Sequence, residues 1–203
     1  MSRVLYLTAF TYIAICGVAL VVRSRQSPAP APALIERVVE AEPPPPVVAS
    51  TGSGADWFAR MKQYCNPVEV DVQLRFNPPP STSEGSAYTS ACFALAGKID
   101  SARATIERMP RGERQYAADV VFNVAHPVAD AGDDRSAGPI MGLVVDYSPR
   151  NYMALYHAGA SEYALGQSDL ARKHLRAFLE LYGAEDGWRS NAKELLSRMA
   201  EKP

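Results

Sequence analysis

The chain has 203 residues, 21% of them charged, and a formal net charge of −1, a length that suits one domain with a tail. The charge balance and the scattered Lys and Arg leave no electrostatic footprint for nucleic acid. Most of the 16 prolines precede Ser81, so a non-globular N-terminal part gives way to a folded C-terminal one.

Residues 1–26 read as a transmembrane anchor. Val4 to Val22 is a run of 19 uncharged residues, close to the roughly 20 that cross a bilayer as a helix. A removable signal would have a shorter apolar core of about 7–15 residues and a small-residue cleavage site, so the segment is expected to stay on the chain, in contact with lipid through residues 4–22. Arg3 on one side nearly balances Arg23 and Arg25 on the other, which leaves the positive-inside rule almost silent. A single N-terminal anchor with a very short tail favours an exported, periplasmic domain. Residues 27–54 alternate and stack prolines before a Ser/Thr/Gly stretch, the composition of an extended, disordered spacer.

The domain is expected over residues 55–203 and to be all-α. Trp57, Met61 and Tyr64 mark an amphipathic helix from about Ala55 to Cys65. The next stretch carries two signals. Val68, Val70, Val72, Leu74 and Phe76 alternate with polar residues as in a strand, whereas Asn66-Pro67-Val68-Glu69 is the opening of a helix. A strand would need a partner that the rest of the chain does not offer. Valines cost a helix only about 0.5 kcal/mol each, while an unpaired strand strands a whole row of backbone groups. The balance favours a helix over Asn66 to Phe76, sandwiched between neighbours because its apolar residues occupy opposite faces. Cys65 and Cys92 are the only cysteines of this part. An even count leaves two readings open, a disulfide in an oxidising compartment or two buried thiols.

From Ser83 onward an element Gly-x-x-x-x-Ala recurs as GKIDSA, GDDRSA and GQSDLA, beginning at Gly97, Gly132 and Gly166. Its spacings of 35 and 34 residues are those of stacked helical hairpins. Seven residues before each glycine stands a small residue (Ser90, Ala125, Gly159), and four after each alanine a large aliphatic one (Ile106, Met141, Leu175). These positions resemble the tetratricopeptide repeat, over about half the chain. The resemblance implies a solenoid of helical hairpins and no particular activity. Counting one period back makes Asn66–Phe76 the second helix of a degenerate earlier hairpin. In the second unit Pro127 and Gly138-Pro139 fall inside helices, which predicts a bent or short hairpin. Beyond the third unit, Trp188, Ala192, Leu195, Leu196 and Met199 share one face of a helix that would cap the array.

The stretch HPVADAGDDR contains His126, Asp130, Asp133 and Asp134. The EF-hand spacing fails there, no zinc arrangement such as HExxH is present, and a turn between helices accounts for it better than the alternative, a surface metal site. His157 and His174 lie in helical patterns and read as packing or surface residues. No nucleophile elbow, phosphate loop or other catalytic set appears, so the expectation is a non-enzyme with no metal, cofactor or small-molecule substrate. Proteins similar to this one bind peptides or helices along the first helix of each hairpin. Carried over by position, that face is Asp119, Phe122 and His126, then Met153, Tyr156, Ala160 and Tyr163, for a protein partner in or near the membrane. The expected function is a membrane-tethered adaptor in an envelope complex; the alternative is a small structural subunit held mainly by its transmembrane helix.

Overall fold

The computed structural model describes residues 52–200, and among these the fold is all-helical, with nine α-helices and no strand. The helices are α1 (Gly54–Met61), α2 (Val70–Phe76), α3 (Ser83–Leu95), α4 (Ile99–Arg108), α5 (Arg114–Asp130), α6 (Asp134–Tyr147), α7 (Tyr152–Ala164), α8 (Ser168–Leu181) and α9 (Gly187–Ala200). The predicted span at 4–22 lies outside the described residues; within them no helix is long and apolar enough to cross a membrane.

Three helix pairs, α3–α4, α5–α6 and α7–α8, pack internally, with α3 against α5 and α6 against α7. Each pair turns on a glycine that the sequence pattern identified. Gly97, Gly132 and Gly166 have φ of 71°, 76° and 78°, the left-handed conformation that ends a helix without a Cβ penalty. The hydrogen bonds match at all three turns. Gly97 N–H donates to Ala94 O and Lys98 N–H to Phe93 O; Gly132 donates to Ala129 and Asp133 to Val128; Gly166 donates to Tyr163 and Gln167 to Glu162. The alanine five residues on is fully buried each time, and so are Ile106, Met141 and Leu175. At Gly159 an added Cβ would lie 2.7 Å from Leu175 Cγ, so glycine there sets how closely α7 and α8 approach. Gly138 does the same between α6 and α7, its Cβ position lying 3.0 Å from that of Ser161.

The second pair is not shortened. α5 runs 17 residues through Pro127 and α6 runs 14 through Pro139, because packing on both neighbours outweighs the single backbone bond each proline forfeits.

α1 is fixed from several sides. Ser53 Oγ accepts from Asp56 N–H, while the Glu84 carboxylate on α3 accepts from Gly54 N–H at 3.0 Å and Ala55 N–H at 3.3 Å, placing negative charge at a helix N-terminus. Trp57, Phe58 and Met61 are buried, and Trp57 Nε1 donates to Asn77 O. Cys65 and Cys92 form a disulfide with Cα atoms 4.8 Å apart.

The stretch after Cys65 is helical, as its opening residues indicated, but begins later. Asn66 Oδ1 accepts from Val68 and Glu69 N–H in a turn, and the helix proper starts at Val70. It is not sandwiched. Val70 is buried and Leu74 partly so, while Val68, Val72 and Phe76 are 84%, 52% and 68% exposed. Alternation places apolar residues on opposite sides of a helix, and only one side has a neighbour.

Candidate functional site

The positions expected to bind a partner divide into three groups. Asp119 and Phe122 on α5 and Met153 on α7 line one groove of about 310 Å³, together with Ser148 and Arg150 from the turn before α7. The groove is built locally: Ser148 Oγ donates to Asp119 Oδ1 at 3.0 Å, and Asn151 caps α7 by accepting from Ala154 N–H. Tyr163 lies elsewhere, in a cleft of about 810 Å³ with Arg172, Arg198 and Met199. Tyr156 is core, which corrects the expectation that it faces outward. It is 5% exposed, with ring centroids 5.2 Å from Phe178 and 4.9 Å from Trp188. Helix α9 supplies that tryptophan and covers the tyrosine. Ala160 is only partly exposed and packs against the cluster formed by α7, α8 and α9.

His126 joins the groove to a second cluster. Its ring stacks on Phe122 at 4.7 Å, and it meets His157 on α7 edge-on. The two Nε2 atoms are 3.1 Å apart. Asp130 Oδ1, one turn after His126 on α5, lies 3.5 Å from His126 Nε2 and 3.4 Å from His157 Nε2. Burial, and then the neighbouring His126, lower the His157 pKa to about 4, against the opposing pull of Asp130 and Asp134, so this imidazole is neutral at pH 7. These three side chains form a compact group of potential metal ligands.

The reading of HPVADAGDDR as an inter-helix turn holds for Gly132, which ends α5, and Asp133, whose Oδ1 accepts from Ser136 N–H to cap α6. It does not hold for His126 and Asp130, which converge with His157 on α7, 31 positions beyond His126. That convergence was invisible within the stretch.

The third histidine, His174 on α8, is buried with its Nδ1 2.8 Å from a Glu162 carboxylate oxygen on α7. It has the packing role expected of it, fastening the two helices of one pair. No protein-family model, curated protein or solved structure matches this chain.

Proposed function

We propose that the chain is a membrane-tethered protein–protein interaction adaptor, anchored through residues 4–22 and presenting a tetratricopeptide-like helical solenoid to a protein partner in an envelope complex. The observation that carries this reading is the groove between α5 and α7. Apolar Phe122 and Met153 and oppositely charged Asp119 and Arg150 are among the residues that line it, a surface suited to an extended peptide. The three matching glycine turns support the repeat assignment. The disulfide supports a domain in an oxidising compartment. We read the protein as a binder rather than an enzyme, since its sequence carries no nucleophile, base and oxyanion-donor set in a recognisable arrangement.

Crosslinking in native membranes, followed by capture with the full chain, tests the adaptor reading. A Phe122→Ala, Met153→Ala double variant is expected to keep its melting temperature and lose capture at least tenfold, as hot-spot truncations of about 1–2 kcal/mol each do. Undiminished capture by the folded double variant rejects the groove.

The second reading, a small structural subunit of an integral membrane complex, draws support from exposed Val68, Val72 and Phe76, which a larger neighbour would cover. Under that reading stoichiometric co-purification in detergent depends on the apolar segment 4–22, and a chain lacking it captures nothing.

A further inference from the structure

Three ligand-type atoms, His126 Nε2, His157 Nε2 and Asp130 Oδ1, form a nearly equilateral triangle with sides of 3.1, 3.4 and 3.5 Å. Hydrogen bonding cannot satisfy all three sides together. If both rings carry a proton on Nε2, both donate to the carboxylate but two N–H groups confront each other. If one ring is protonated there, it donates to the other ring and to the carboxylate, and the remaining imidazole lone pair then faces an anionic oxygen. One edge is repulsive in either arrangement. A cation at the centre would meet a lone pair from each corner.

The dimensions select among cations. A tetrahedral ion with bonds of about 2.0–2.1 Å separates its ligands by about 3.3–3.4 Å, whereas octahedral bonds of that length separate neighbours by about 2.9 Å. The two edges to Asp130, 3.4 and 3.5 Å, fit the tetrahedron, and the 3.1 Å edge between the imidazoles falls between the two geometries. Two imidazoles and one carboxylate disfavour calcium and magnesium, which take oxygen ligands, and suit zinc and its first-row neighbours. The ligands also come from rigid elements. His126 and Asp130 are spaced i, i+4 on one face of α5, while His157 is 6% exposed and held by Tyr156 and Trp188 at ring distances of 5.3 and 5.7 Å. The Asp130 side chain is 48% exposed, which gives an ion a way in and a water a place at the fourth position.

We propose that His126, Asp130 and His157 bind one divalent transition-metal ion, zinc by geometry, with water as the fourth ligand. The ion cross-links α5 to α7, and so joins the second helix pair to the third. The metal reading does not rest on the adaptor reading, although His126 stacks on Phe122 of the groove.

The test uses the untagged full chain in detergent, stripped with a chelator and titrated with Zn²⁺ against a chromophoric competitor, then with Co²⁺ followed by visible absorption. One equivalent of Zn²⁺ should bind per chain and raise the melting temperature, and Co²⁺ should give the intense visible bands of a tetrahedral site. Asp130→Asn and His126→Gln, both at partly exposed positions, should weaken Zn²⁺ at least tenfold while leaving the circular dichroism of the metal-free chain unchanged; removing even an outer-shell partner of a metal ligand costs about 10–100-fold. His174→Gln should not affect stoichiometry. Failure to saturate at millimolar Zn²⁺, an octahedral Co²⁺ spectrum, or binding that survives both ligand variants or follows His174 overturns the proposal.

Discussion

The two outer helices of the described chain, α2 near its start and α9 at its end, solve the same problem in opposite ways. Each lies at an edge with few neighbours. α9 places Trp188, Ala192, the pair Leu195 and Leu196, and Met199 at steps of three or four residues, so one face collects them; Ala192 and Met199 are buried in one cluster with Leu175, Phe178 and Tyr156. α2 spaces its apolar residues by two, so burying Val70 and Leu74 turns Val72 and Phe76 to solvent. The consequence is a difference in what holds each end. Both ends bury apolar side chains, Trp57, Phe58 and Met61 at one and Ala192 and Met199 at the other; the N-terminal end adds a covalent bridge and a capping carboxylate, the C-terminal end only arginine hydrogen bonds to helix-end carbonyls.

The largest effect is expected where no covalent bridge backs the packing. Phe178→Ala removes a fully buried ring from the α7–α8–α9 cluster and should cost about 3–5 kcal/mol. Hydrogen exchange should then show α9 opening while α1 and α3 stay protected. Equal loss of protection at both ends would mean that the two clusters unfold as one. Next comes the bridge. Cys65→Ser with Cys92→Ser opens a loop of sequence separation 27 and should cost about 2–4 kcal/mol, read from denaturant midpoints. Exchange should rise in α1 and α2 and leave α9 untouched.

Acid should act between the two ends, at α5 and α7. His157 has a folded pKa near 4 against an ordinary value of 6.5, with His126, Asp130 and Asp134 as the charged or titratable groups facing it. Between those pH values the unfolded chain binds a proton that the folded chain refuses. Stability of the metal-free chain should therefore fall as pH drops from about 6.5 to 4, by at most about 3 kcal/mol, and stay flat above. Urea midpoints across that window should lose this slope in His157→Gln; an unaltered slope assigns it to other groups. The smallest effect belongs to α2. Phe76→Ser should change stability by no more than about 0.5 kcal/mol, because its ring rests on little. A larger loss would show that α2 packs more tightly than its exposure indicates.

Legibility in the sequence followed the same physical divide. Features fixed by one residue's own chemistry were readable: the glycines that need positive φ, the alanines five residues on, and the apolar stripe of α9. The helix after Asn66 was readable from its opening turn, yet its exposed face was not, since a period of two does not say which side finds a neighbour. Of the bent or short hairpin that proline suggested, the short form does not occur. Pro127 and Pro139 each cost one bond, and the sequence does not display the contacts that outweigh it. The pairing of Cys65 with Cys92 was open between two readings, because it depends on the turn after α1 coming within a Cα separation of 4.8 Å of the last turn of α3. Tyr156 and His157 were misplaced or left unused because α9, far along the chain, decides what they touch.

The bridge between Cys65 and Cys92 also sets the route that mechanical load would take. A pull on the N-terminal stretch enters at Ser53, runs along α1, and at Cys65 crosses by a covalent shortcut into the C-terminal turn of α3. The intervening residues, α2 among them, lie outside the loaded path. Under tension the chain can therefore lengthen by the residues of α1 and no further until α3 itself gives way beyond Cys92. A single-molecule extension trace should show one short step for α1 and gain the contour length of the enclosed loop only after reduction.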